Sequence, residues 1–278
     1  MKTLTTVHYT DKYLLNPTNP VTVNLIGAGG TGSQMLTCLA RMNQAMLALD
    51  YPGLQVNVFD GDTVSPANLG RQLFSAAEIG MNKGAALIAR LNRFFGTNWK
   101  AVPQRFNDLT LDQMPGHGVA NLCISCVDTA QSRFDIASIL QSHAQQSSYQ
   151  RERSLYWMDF GNSRTSGQVV LSTVGQIKQP TSQKYVVEGN LPFVTNTFRS
   201  LLENADANDD TPSCSLAEAL TKQDLFINST LANMGASLLW SLFREGVLFD
   251  RGFFMNLQNF RTQPIKVTAS KTENLKAA

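Results

Sequence analysis

The spacing of apolar and polar positions changes period twice within the first sixty residues. VTVNLI, residues 21–26, is dense in apolar side chains and reads as a buried strand. GAGGTG at 27–32 is a tight turn, and SQMLTCLARMNQAMLAL then recurs at helical spacing, predicting a helix over 33–49. After Tyr51-Pro52-Gly53, LQVNVFD returns to strand character and ends at Asp60. Strand, helix and strand in this order predict a right-handed βαβ unit with parallel strands. A polar loop follows, then a helix near 82–95, a third strand including 101–106, and a fourth, VANLCISCV, with Asp128 just past its end. Another helix is expected over 132–143.

Beyond residue 150 the pattern shifts. LYWMDFG and SGQVVLSTV are strand-like around a turn flanked by Gly161 and Gly167. Residues 178–210 are polar and are expected to form a loop or mobile insertion. A long helical pattern occupies 216–243, where LANMGASLLWSLF reads either as core or as interface. GFFMNLQNF is a last strand-like piece before a Lys-rich end expected to fray. The predicted fold class is α/β: a Rossmann-like, doubly wound, mostly parallel sheet with additional C-terminal strands and helices. A single domain over 1–278 is expected, with a nucleotide-binding half at 20–145 and a second half at 146–278.

Composition narrows the function classes. The formal net charge of +2 gives no general electrostatic case for nucleic acid or membrane surfaces. No apolar run is long enough to cross a bilayer, and the N-terminus lacks the stretch of a signal peptide, so a cytoplasmic protein is expected. Four cysteines in 278 residues do not make a disulfide scaffold, and three histidines argue against a His-rich metal site.

The chemistry concentrates after the first strand. Gly27, Gly29, Gly30 and Gly32 sit where that strand turns into a helix, so backbone N–H groups can approach a phosphate at the helix's positive end. Asp60 ends the second strand, where a carboxylate accepts hydrogen bonds from ribose hydroxyls. These features suit NAD as well as ATP. The polar, cationic cluster that follows, Asn68, Arg71, Gln72 and Lys83, favours ATP, because a triphosphate carries more charge than a dinucleotide pyrophosphate, and Asp62 is expected beside it among the cofactor-binding residues. Asp128 lies at the carboxyl end of a parallel strand, where it can hold Mg²⁺ or cap the next helix, a role Thr129 can share.

GAGGTG, DGDTVSPANLGRQ, Lys83 and SCVDTAQSR together resemble the ThiF/MoeB/HesA superfamily, which activates ubiquitin and ubiquitin-like proteins. The match is strongest over 21–133. GRQLFSAAEIGMNK, LNRFFG and DDTPSCSLAEAL bring the resemblance nearer to the ThiF-like member of the bacterial PRTRC system. The resemblance implies one ThiF-like adenylation domain, a partner-binding second half with a crossover loop near 178–215, and ATP and Mg²⁺ as ligands. It implies a ubiquitin-like β-grasp partner, a conjugating-enzyme-like protein and a homodimer. Gly29 and Gly32 would line the nucleotide, Asp60 the ribose, and Asn68, Arg71 and Lys83 the phosphates. Asp128 would hold the Mg²⁺, and Arg133 would be structural. MoeB-like dimers send an N-terminal arginine into the neighbour's phosphate site, and no Arg-rich motif opens this chain.

Cys214, in TPSCSLAEAL, resembles the thioester-forming cysteine of ubiquitin-activating enzymes, and a thiolate near a helix start is a better nucleophile. Its plain alternative is an ordinary loop cysteine. Cys123 and Cys126 form CISC within the predicted fourth strand, with no second pair, so both are expected in the core and structural zinc is not expected. Two other functions fit the same sheet: an NAD-dependent oxidoreductase, and a catalytically inactive scaffold. The first leaves Asn68, Arg71 and Lys83 without a purpose and finds no proton-transfer histidine, since His117 and His143 lie in a loop and near a helix end.

Overall fold

In the computed structural model, described over residues 4–107, 110, 112, 115–144, 153–205 and 222–269, burial on both faces decides the centre of the sheet. In chain order the strands are β1 (Thr6–Tyr9), β2 (Val21–Ile26), β3 (Leu54–Phe59), β4 (Lys100–Val102), β5 (Leu122–Ser125) and β6 (Tyr156–Asn162). They continue with β7 (Ser166–Thr173), β8 (Val186–Val187), β9 (Val247–Leu248), β10 (Asp250–Asn256) and β11 (Arg261–Lys266). The helices are α1 (Lys12–Leu15), α2 (Gly30–Ala48), α3 (Lys83–Phe95), α4 (Pro115–Gly118) and α5 (Ala130–His143). The last three are α6 (Val194–Thr197), α7 (Arg199–Ala205) and α8 (Ile227–Arg244).

Eight strands form one sheet in the order β11-β10-β7-β6-β5-β2-β3-β4. β4 to β6 across β3, β2 and β5 are parallel, while β7, β10 and β11 are added antiparallel. Period-two side chains divide between two cores. On one face Val23, Leu25, Tyr156, Met158 and Phe160 pack with α2, α3 and α8; on the other Ile26, Cys123 and Trp157 pack with α5 and α6. The LANMGASLLWSLF segment is therefore core: Leu231, Ala232, Leu239, Leu242 and Phe243 of α8 are buried, and α8 lies against α2.

The chain leaves β2 towards β3 on one side, and β5 joins β2 from the other. That reversal opens a crevice beyond the carboxyl ends of β2 and β5, the place where open α/β sheets bind ligands.

Several expectations change. The third strand stops at Val102, before Pro103, which has no N–H to give a ladder. The polar stretch read as a loop holds β8, α6 and α7, because β1 supplies β8 with a partner from the far end of the chain. β1, β8 and β9 form a second, three-stranded sheet that the sequence pattern did not reveal. β11 was also missed: most of its side chains are exposed, it carries Pro264, and it lies at the sheet's edge.

His8 ties the small sheet to the large one. Its Nδ1 lies 2.7 Å from the Glu188 carbonyl oxygen, which can only accept, so Nδ1 carries the proton. Nε2, 2.9 Å from the Tyr156 hydroxyl, accepts from it, and that oxygen accepts the Asp11 N–H. Burial lowers the His8 pKa from its ordinary 6.5, so the folded state resists a proton that the unfolded chain takes up. Stability is then complete above pH 6.5 and falls as pH drops below it towards the lowered folded-state pKa. Urea unfolding on both sides of pH 6.5 is expected to show a shallower acid decline in His8→Gln than in the wild type; parallel profiles would contradict the assignment.

Candidate functional site

Stretches from both halves of the chain converge on the crevice, a cleft of about 430 Å³. Gly27 has a φ of +90°, and a Cβ there would sit 2.6 Å from the Cys126 carbonyl oxygen. At Gly32 a Cβ would fall 1.8 Å from the Gly27 oxygen, so these two glycines close the turn itself. Gly29 is different: a Cβ would meet nothing within 4 Å, so the fold gives no reason for its missing side chain. Gly29 and Gly30 line the cleft, whereas Gly32 lies behind it. α2 starts here without a side-chain cap, which leaves its first N–H groups to whatever occupies the cleft.

Asp60 fastens the turn to β3. Its Oδ2 accepts the Ala28 N–H at 2.6 Å and its Oδ1 the Asp62 N–H at 2.8 Å. Burial pushes its pKa up, and those two donors and nearby Lys83 oppose the rise. Asn82 caps α3 through the Ala85 N–H and donates to the carbonyls of Asp60 and Asp62. That brings Lys83 to the cleft wall, its Nζ 3.0 Å from Asp62 Oδ2, with Lys83 nearly buried and Asp62 half exposed.

Arg71 and Gln72 also line the cleft. Arg71 Nη1 donates to Gln223 Oε1 at 2.5 Å, while its buried Nε has no partner, and no acid pairs with it among the described residues. Burial lowers the guanidinium pKa. Gln72 Oε1 is also buried without a partner. Asn68 does not reach the cleft wall. Its Oδ1 accepts the Ser65 N–H and hydroxyl, fixing the turn just before Arg71.

Asp128 lies on the cleft wall, exposed. Thr129 caps α5 by accepting the Ser132 N–H at 3.2 Å, so the cap does not occupy Asp128. Arg133 clamps this loop from behind. Nε donates to both Asp159 oxygens at 3.1 Å, Nη1 to the Thr129 carbonyl, and Nη2 to those of Val127 and Phe160.

Other predicted residues fall elsewhere. Cys214 lies outside the described residues. Cys123 is buried in β5, but the strand ends at Ser125 and Cys126 stands on the cleft wall, correcting the expectation that both belong to the core. Burial raises both thiol pKa values. Among the described residues no group of three or more His, Cys, Asp or Glu side chains can hold a metal. Neither His117 nor His143 lines the cleft.

Sequence reasoning missed Thr31, Arg105, Asn162, Gln223 and Asn228, which also line the cleft. Thr31 stands inside GAGGTG, whereas the other four belong to no short motif and meet only through folding. Asp159 left a signal that went unused, an acid inside the apolar run LYWMDFG.

The Arg133–Asp159 pair is buried, at 6% and 1% side-chain exposure. Removing one partner leaves the other charge stranded, so Asp159→Ala is expected to cost about 3–5 kcal/mol. Urea denaturation measures it, and a loss below about 1 kcal/mol, the value of a surface pair, would contradict the clamp.

Three mosquito and fruit-fly proteins named ubiquitin-like modifier-activating enzyme 5 resemble the chain. The Culex quinquefasciatus protein is 26% identical over 156 residues and that of Drosophila erecta 29% over 156, each match covering 52% of this chain and 34% of the relative. The chain thus spans about a third of the length of these relatives. Among solved structures, E. coli MccB with MccA superposes at a TM-score of 0.59 and 14% identity, over 92% of this chain and 66% of that one. MccB with ATP superposes at 0.55 and 15% identity, over 93% and 66%. At these identities the likeness concerns the fold. The ThiF family model matches residues 15–273, across both halves of the sheet and every segment described around the cleft, and the chain belongs to the ThiF family.

Proposed function

We propose that the chain binds ATP in this cleft and adenylates the C-terminal carboxylate of a ubiquitin-like β-grasp protein. The observation that carries the reading is Arg71, a partly buried cation with no acidic partner among the described residues and an unbonded Nε. It shares the cleft with Gly29, where open space replaces a side chain. A helix N-terminus, a bare glycine and an unpaired guanidinium together suit a polyphosphate.

Asp60 has accepted one N–H on each oxygen and keeps lone pairs for ribose hydroxyls. Arg71 and Lys83 supply positive charge to the phosphates, and Asn68 fixes the turn that presents Arg71 and Gln72. Asp128, free of the capping role, would hold Mg²⁺; a single carboxylate suits that ion, which takes its other ligands from phosphates and water. Held by Asp128, the ion would supply positive charge to offset that of the phosphates. Relatives named as activating enzymes of ubiquitin-like modifiers, and MccB structures with ATP and with MccA, support a nucleotide and a polypeptide as the two substrates.

The partner's carboxylate is ionised at neutral pH and needs no base. One of its oxygens attacks the α-phosphorus; the bond from that phosphorus to the bridging oxygen breaks, and pyrophosphate leaves with the electron pair. The chain's work is positioning and charge stabilisation. The Cys214 thiolate then attacks the acyl carbon, forming a thioester and releasing AMP, and a conjugating-enzyme-like protein accepts the acyl group.

Partner-dependent ATP–pyrophosphate exchange tests the first step. Asp128→Ala and Arg71→Ala are each expected to lower it by on the order of a hundred-fold, and a wild-type rate in Asp128→Ala removes that residue from the mechanism. Thermal stabilisation by NAD but not by ATP–Mg²⁺ would favour an oxidoreductase instead. Intact-mass analysis with partner, ATP and Mg²⁺ is expected to show a thioester adduct; its survival in Cys214→Ala excludes Cys214.

A further inference from the structure

A line of side-chain amides runs from the glycine turn to Arg71, and each end fixes the other. Thr31 Oγ1 and Asn162 Nδ2 both donate to Asn228 Oδ1 at 2.9 Å. The orientation of that amide is thereby set, and its Nδ2 donates to Gln223 Oε1 at 2.9 Å. Gln223 Oε1 in turn accepts Arg71 Nη1 at 2.5 Å. Turning the Gln223 amide over would set N–H groups against N–H groups at both contacts, so only one orientation serves the line. Asn228 is only 3% exposed, so the middle of the line is buried, while Gln223 and Arg71 stand partly buried on the cleft wall. At its end, Arg71 spends one nitrogen on a neutral acceptor, and its Nε–Nη2 edge, the edge that grips oxyanions in pairs, carries no bond among the described residues.

We propose that Gln223 is a positioning residue for nucleotide binding: it pins one nitrogen of Arg71 with an uncharged oxygen, so that the guanidinium keeps its full charge and its paired edge for the polyphosphate. A carboxylate in the same place would hold Arg71 equally well and neutralise it. The inference rests on the ATP reading above and adds that the grip on phosphate is set by the segment leading into α8, in the second half of the chain.

Calorimetric titration with ATP–Mg²⁺ and with adenosine tests it, since adenosine has the base and ribose but no phosphate. Gln223→Met keeps the volume and removes the acceptor, and is expected to weaken ATP by about ten-fold while adenosine binding is unchanged. In an Arg71→Met background the same substitution is expected to have no further effect, because Gln223 acts through Arg71. An unchanged ATP-to-adenosine ratio in Gln223→Met, or an undiminished effect in the Arg71→Met background, overturns the positioning role while leaving the ATP reading intact. A wild-type protein that does not prefer ATP to adenosine overturns both. Should Gln223→Met fail to fold, Gln223→Glu carries the test: it retains an acceptor for both donors, and is expected to fold and to lose ATP preference through neutralisation of Arg71. An unchanged preference in that variant overturns the proposal.

Discussion

A guanidinium enclosed in protein is tolerated only when its donors and its charge are both met, and Arg133 shows how much structure that requirement can organise. Asp159 meets the charge from the middle of β6, and three backbone carbonyls take three of the four remaining N–H groups. Two of those carbonyls flank Asp128, at Val127 and Thr129. Ser125 and Trp157 extend the same chain: the Ser125 hydroxyl donates to Asp159 at 2.6 Å and accepts the Trp157 indole N–H at 2.8 Å. The loop between β5 and α5 therefore takes its shape from a buried charge beneath it. Asp128 stands out into the cleft because its neighbours' carbonyls are held back.

What was readable in the sequence divides along physical lines. Contiguous periodicity marked β2, α2, β3, α3, β5 and α8, since those elements bury stripes that repeat in the chain itself. The glycine turn, Asp60, Arg71, Lys83 and Asp128 stood in short motifs attached to those elements. β1, β8 and β11 left little trace because they are short or exposed, and their stability comes from a partner distant in the chain. Gln223, Asn228 and Asn162 were invisible for the same reason: amides with no periodic context, brought together by β6, α8 and the segment that leads into α8. Asn68 illustrates a subtler gap. Its place in the motif was legible, but its side chain's reach back to the Ser65 N–H, which closes a short 3₁₀ turn, depends on the backbone of Ser65.

The cleft is consequently a joint product of both halves of the chain. Its floor comes from the parallel strands, while the amides that lead to Arg71 arrive with α8, the segment before it and the end of β6. α8 is buried along one side against α2, so the same helix that completes the hydrophobic core also carries Asn228 to the start of α2. Packing and polar placement are linked at that helix, and a disturbance of one is felt by the other.

The two borders of the large sheet have a further bearing on how the protein behaves among copies of itself. On one side the last strand is β4, only three residues long. On the other, β11 carries a proline where a hydrogen-bond donor would stand and begins and ends with the cations Arg261 and Lys266. Neither rim offers a long, regular ladder for another chain to extend. A mixed sheet of eight strands is thus finished at both sides against the open-ended stacking that leads to fibrils.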